Sequence, residues 1–140
     1  MSDSDIRQLV EDIFAMIRSG DFGKAGELID QDYVDHSPLG ELRGVDGFIQ
    51  LASTFRAGFS DLDVHPVDII VEGDRAAWRV EGTGTNDGEL MGMPPTGRRV
   101  QLGGIDMGVT RDGKAIEHWT GADMLSMLQQ LGVVQMPGQP

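Results

Sequence analysis

The hydrophobic period of this chain changes once, near residue 62, and that change constrains the fold more than any other feature. Before it, apolar residues recur at helical spacing: Ile6, Leu9, Val10, Ile13, Met16 and Ile17, then Phe48, Leu51, Ala52, Phe55 and Phe59. After it they alternate, as Ala76, Trp78 and Val80 do against Ala77, Arg79 and Glu81. A period of 3.6 followed by a period of 2 predicts helices first and an antiparallel meander afterwards, an α+β layout. At 140 residues there is room for one core and not for a second.

The local signals fill in that layout. Ser2 and Asp5 stand at capping-box spacing ahead of the first helix, and Gly20 ends it. Residues 22–28 read as a short second helix, and 32–38 as extended or turning, because Pro38 biases Ser37 away from helix. A third helix follows Gly44. Strands are expected at 62–71, 76–80, 100–109 and 114–120, with hairpin turns at Glu72-Gly73-Asp74 and Asp112-Gly113. A short helix beginning at Met124 closes the domain, 1–134, and 135–140 reads as a frayed tail. Seven of the 20 glycines fall between Gly82 and Gly104, where strands must bend. The expectation is a strongly curved antiparallel sheet closed by about three N-terminal helices and one C-terminal helix: a cone with an apolar interior, suited to a small molecule.

Composition removes several classes of function. Without cysteine there is no thiol catalysis, disulfide framework or cysteine-based zinc site. Eleven basic against 23 acidic residues give a net charge of −12, which repels phosphate backbones and anionic membrane, so neither nucleic acid nor a membrane is expected as partner. The start MSDSDIRQLVED is acidic where a targeting peptide would be basic, and no apolar run reaches the ~18 residues of a membrane span. A cytoplasmic location is expected.

The motifs that come near known chemistry fail on context. Gly108 to Lys114 nearly spells a phosphate-binding loop, but Ala115 stands where the magnesium-binding Ser or Thr belongs, and a hairpin turn suits the flanking strands better. Gly82-Thr-Gly84-Thr-Asn-Asp-Gly88 has one residue too many for a dinucleotide fingerprint and no helix after it. His36, His65 and His118 show no paired helical spacing for a metal. No metal, nicotinamide or flavin is therefore expected. His65 reads as a surface residue; His36 and His118 flank apolar segments, where a structural or a functional histidine fits equally. Asp123 precedes the closing helix, and the residues alone favour a helix N-cap over a desolvated catalytic base. Trp78 and Trp119 read as core aromatics first and as surfaces for a ligand second.

Several blocks resemble the SnoaL-like polyketide cyclases: Tyr33-Val-Asp-His36-Ser-Pro38, Phe59-Ser-Asp-Leu62, the stretch from Gly82 to Gly97 with its Pro94-Pro95-Thr96-Gly97 hairpin, Asp112-Gly-Lys-Ala-Ile-Glu117-His118-Trp119 with Asp123, and Gln130-Leu-Gly132. The resemblance implies the cone of the nuclear transport factor two superfamily and a cofactor-free enzyme, in which an aspartate serves as acid and base for an intramolecular aldol closure. Asp123 is taken as the position that matches that aspartate, which turns the balance from cap to catalysis. His36 and His118 match histidines common in the family. Asn86 replaces a frequent histidine, and Ser60 a frequent proline.

The mechanism expected from these residues has Asp123 and His118 as catalytic groups. His36 and Asn86 are further hydrogen-bond donors, with Trp119, Trp78 and Tyr33 as walls of the binding site. Asp106 is the extra carboxylate, whose convergence on the pocket would favour hydroxylation, hydration or epoxide opening instead. A non-catalytic ligand-binding or dimerisation module is the third reading, favoured by an Asp123 turned to solvent and a pocket packed shut by methionines. A homodimer is expected through the open face of the sheet, which residues such as Val80 or Val100 would make apolar.

Overall fold

The computed structural model describes residues 1–135 and 138, so the expected frayed tail falls for the most part outside the described residues. Helix α1 (Asp3–Ser19) begins with a complete capping box: the Ser2 hydroxyl accepts from the Asp5 N–H, and the Asp5 carboxylate from the Ser2 N–H. It ends at Gly20, whose φ of 72° lets its N–H reach back to Met16 O. Helix α2 (Ala25–Leu28) is shorter than its sequence suggests. Strands β1 (Ile29–Ser37) and β2 (Gly40–Arg43) lead into α3 (Gly44–Gly58). Then come β3 (Asp63–Glu72), β4 (Arg75–Thr85), β5 (Arg99–Arg111), β6 (Lys114–Trp119) and α4 (Met124–Leu131).

The six strands form one sheet in the order β2-β1-β6-β5-β4-β3. Four of its five pairings are antiparallel, as expected, but β1 lies parallel to β6, with Asp35 opposite His118 and His36 opposite Trp119. The segment expected to be merely extended or turning is thus a sheet strand. Its alternation is hard to see in sequence because one of its inward positions is Asp35, which is 0% exposed.

Helix α1 packs on β3, α3 on β1 and α4 on β5. Ile6, Val10 and Phe14 of α1 share a core with Leu62, Val64, Trp78, Met127 and Leu131, and Tyr33 and Phe48 belong to a second cluster around Ile29. Of the seven glycines between Gly82 and Gly104, three sit in the loop between β4 and β5 and four within these strands. Curvature is set most sharply where Gly104 in β5 meets Gly121. A Cβ on Gly104 would lie 2.3 Å from Gly121 O, and one on Gly121 would lie 2.0 Å from Ile105 O. This backbone approach bends the chain after β6 back across the sheet.

The outer face carries apolar residues, but different ones than expected, among charged ones such as Arg79 and Glu81. Val100 is 1% exposed in the core and Val80 faces the interior, since strand parity puts both on the Trp78 side. The outer face instead carries a register row of Ile70, Ala77, Met107 and Trp119. Ile70, and Ile105 two residues before Met107 on β5, are 68% and 67% exposed.

Candidate active site

The sheet and helices enclose a cavity of about 170 Å³. Its walls are almost wholly apolar, with Leu9, Phe14, Phe48, Trp78, Leu102 and Met127 among them. The main polar patch lies where β1, β5 and β6 present Asp35, Asp106 and His118 side by side, joined by Thr120. Strand parity explains the grouping. Tyr33 and Asp35 are two apart on β1 and His118 and Thr120 two apart across the end of β6, so each pair points inward.

Hydrogen bonds fix the proton positions at one end of His118. The Thr120 hydroxyl donates to Asp35 Oδ1 at 2.7 Å, and the Tyr33 hydroxyl to Asp35 Oδ2 at 2.8 Å. The single Thr120 proton is thereby used, so the contact between Thr120 Oγ1 and His118 Nδ1, 3.1 Å, requires the ring nitrogen to donate. Nδ1–H also reaches Asp35 Oδ2 at 3.0 Å. On the other side Nε2 lies 3.1 Å from Asp106 Oδ2, and Asp106 Oδ1 accepts from the Gly121 N–H at 2.9 Å. The Gly104–Gly121 approach is what brings that N–H within reach. Trp78 lies flat on the imidazole, centroids 5.6 Å apart and planes 6° apart.

The electrostatics follow from this bracket. Burial alone would lower the His118 pKa, but the hydrogen bonds and charges of Asp106 and Asp35 outweigh it and raise it to about 9. Burial would raise Asp35, yet His118, Thr120 and Tyr33 stabilise its carboxylate and hold it below its ordinary range. Burial, with Asp35 adjacent, pushes the Tyr33 phenol well above 10.0. At neutral pH His118 is an imidazolium, held between Asp35 and Asp106. The accessibility of the three is graded: the His118 side chain is 17% exposed, Asp106 6% and Asp35 1%. His118 and Asp106 are the more open to a ligand, and Asp35, the least exposed of the three, is hydrogen-bonded to His118. Both ring nitrogens are engaged by carboxylates, and among the described residues no group of three His, Asp or Glu side chains could hold a metal ion.

The residues expected from sequence divide in two. Tyr33, Trp78, Asp106 and His118 line the cavity together. Asp123 lines it too, at the rim, where it is exposed and its Oδ1 caps α4 by accepting from the Ser126 N–H at 3.0 Å. His36 and Trp119 do not reach the cavity. They lie on the outer face of the sheet, stacked 5.2 Å apart, with His36 Nε2 2.8 Å from Glu117 Oε2. The reason is parity again: each follows an inward-facing neighbour, Asp35 or His118. Asn86 is no pocket donor either. Its amide nitrogen donates to Gly58 O and Gly88 O and its oxygen accepts from Thr96, so it is spent on clamping the loop between β4 and β5.

Asp35 and Thr120 carry no role in the sequence reading. The signal that could have found them was the two-residue spacing from Tyr33 and from His118, once both segments were taken as strand. The methionines do not pack the cavity shut, so of the two signs for a non-catalytic module only the exposed Asp123 is present.

A curved sheet around an apolar cavity, with one buried acid–base patch, is the outline of a small-molecule enzyme. The sequence model of the SnoaL-like polyketide cyclases matches residues 4–131. Aklanonic acid methyl ester cyclase DnrD of Streptomyces peucetius is 30% identical over 135 residues, spanning 91% of this chain and 88% of its own. TsrD of Streptomyces laurentii superimposes with a TM-score of 0.86 at 30% identity, over 96% of this chain and 99% of that one. AclR of Streptomyces galilaeus, a proposed hydroxylase, does so at 0.82 and 30%, over 99% and 87%. The chain belongs to the SnoaL-like polyketide cyclase family, and by that membership is an enzyme of the cyclase type.

Proposed function

We propose that the chain closes a ring by intramolecular aldol addition, without a cofactor, and that His118 and Asp106 are its acid–base pair. The observation that carries this is an imidazolium held against a carboxylate, 3.1 Å apart, at the wall of an otherwise apolar cavity. A methylene flanked by two carbonyls is acidic because its enolate delocalises, so a carboxylate suffices as base. Asp106 takes that proton. The enolate carbon attacks a second carbonyl of the same molecule, and the alkoxide that forms takes the Nε2 proton of His118. The proton on Asp106 then returns to Nε2 across their hydrogen bond. Nothing is gained or lost overall, so the product is an isomer of the substrate. General acid–base help is worth typically 10²–10⁴-fold, and the cavity adds effective molarity by folding the substrate on itself.

Asp123 remains a competing base from the rim. Its exposure and its engagement as a helix cap favour Asp106, which is buried and already shares a proton with His118. Asn caps a helix about as well as Asp, so Asp123→Asn isolates the chemical role.

The convergence of Asp35 and Asp106 on His118 favours a second reading, in which the patch activates water for addition to a small apolar ligand or for opening of an epoxide. One experiment separates the two. Aklanonic acid methyl ester, the substrate that DnrD's name states, is incubated with the protein and the product weighed by mass spectrometry. An isomer of unchanged mass supports cyclisation; a gain of one water supports the second reading. His118→Gln is expected to lower turnover by about 10²-fold or more. Unchanged turnover in that variant removes the patch from the mechanism.

A further inference from the structure

We propose that Trp78 is a positioning residue for His118: its indole face seats the ring between Asp35 and Asp106 and favours the imidazolium over the neutral imidazole. This deepens the acid–base reading of His118, but it is tested below without turnover.

Three observations carry it. The two rings are parallel to within 6° at 5.6 Å, a separation at which the negative face of an indole attracts a cation. Both lie away from bulk water, with Trp78 7% exposed and the His118 side chain 17%, so the attraction is little screened. The third is an apparent defect. Trp78 Nε1 is a buried side-chain donor that finds no acceptor among the described residues. An unpaired buried N–H costs stability, and phenylalanine would fill space here without one. Packing alone does not call for an indole here, and the face that meets His118 is one property that distinguishes it from phenylalanine.

The surroundings leave the indole a defined part. Asp35 and Tyr33 face His118 from β1 and Asp106 from β5, while Asp123 stands at the cavity rim. Of these, Asp35 and Asp106 contact the ring, through its two nitrogens and so in or near its plane. None of their hydrogen bonds fixes the ring against tilting out of that plane. Trp78, from β4, covers one face, and its place there is held by the pairing of Trp78 with Asp106 in β5 and by Phe14, which meets it edge to face at 6.2 Å. The opposite face of the imidazole is then the one left for a ligand.

The test is a titration of the histidine ring carbons by nuclear magnetic resonance in the unliganded protein, with His118 assigned by its absence from His118→Gln. In Trp78→Leu the His118 midpoint is expected to fall by about one pH unit, a tenfold change in acidity, with His36 and His65 unmoved. Should that variant fail to fold, ring fluorination weakens the indole face while keeping its shape. Tryptophan, 5-fluorotryptophan and 5,6,7-trifluorotryptophan are incorporated in a Trp119→Phe background, so that Trp78 is the sole indole. A midpoint that falls stepwise with fluorine number supports the proposal. The same His118 midpoint in all three folded proteins overturns it. Neither result depends on whether the protein turns over a polyketide, so failure of the cyclase assignment would be seen separately.

Discussion

At the scale of single residues, the two aspartates open to a ligand are told apart by what already holds them. Asp106 is fixed by a backbone N–H and by His118, and Asp123 by the first turn of α4. Replacing Asp106 by Asn keeps the size and one acceptor but removes the base, and turnover is expected to fall by on the order of 10²-fold or more. Asp123→Asn is expected to leave both melting temperature and turnover near wild type; a loss of turnover there, with Asp106→Asn active, reverses the assignment. Stability carries its own signature. The folded-state pKa of His118, about 9, stands above its unfolded value near 6.5. Its contribution is therefore complete below about pH 6.5 and is lost as pH rises toward 9. Asp35 acts in the opposite sense: held below 3.8, it contributes above that pH and stops contributing as pH falls through its lowered value. Thermal melts from pH 5 to 10 should show the alkaline decline, and Asp106→Asn should shrink it and move it to lower pH, because the largest of the raising partners is gone.

At the scale of elements, the outcome depends on what each segment's pattern could express. The helices were legible because the apolar stripe of α1 and its Ser2–Asp5 box state the same thing twice. The β3–β4 and β5–β6 hairpins were legible from alternation and turn residues. β1 was not read as a strand, because an inward-facing aspartate breaks the alternation that would reveal it. With β1 unrecognised, its side chains could not be sorted by face, and that one omission placed His36 among the pocket groups and left Asp35 without a role. Trp119 was misplaced for the related reason that it follows His118 in an otherwise unambiguous strand: two neighbours in a strand cannot share a face. Asn86 shows another limit, since a loop clamp and a pocket donor need the same amide. The clamp has a simple consequence. Asn86→Asp keeps the acceptor for Thr96 but loses the two donors to Gly58 and Gly88 carbonyls and buries a charge beside them. The expected cost is about 1–3 kcal/mol or more, read as a lower denaturation midpoint at unchanged slope.

For the whole molecule, the outer face of the sheet sets the expected assembly. A row of Ile70, Ala77, Met107 and Trp119 crosses it, with Ile105 alongside, and a monomer would leave this row in water. A homodimer that covers it is expected to scatter light with twice the 15.2 kDa chain mass. Ile105→Asp, which puts like charges on both sides of a two-fold contact, should return the mass to one chain with the fold intact. A single-chain mass for the wild type at micromolar concentration would mean that the face serves something other than a second copy.

The parallel pairing of β1 with β6 also bears on the order in which the chain can become a protein. Asp35 and His118, hydrogen-bonded in the finished sheet, are 83 residues apart in the sequence. At roughly 5–20 residues per second of synthesis, Asp35 leaves the ribosome some seconds before any of its partners on β6 exists. Until then a carboxylate destined for the interior has only water and the Tyr33 hydroxyl to stabilise it, without His118 or Thr120, so the first part of the chain has every reason to stay open. Any nascent or truncated form that ends before His118 would have to bury that charge with only the Tyr33 hydroxyl as its partner. Folding of this domain is thus a late event governed by its last strand, and the residues that make the site chemically capable are also those that decide when the fold closes.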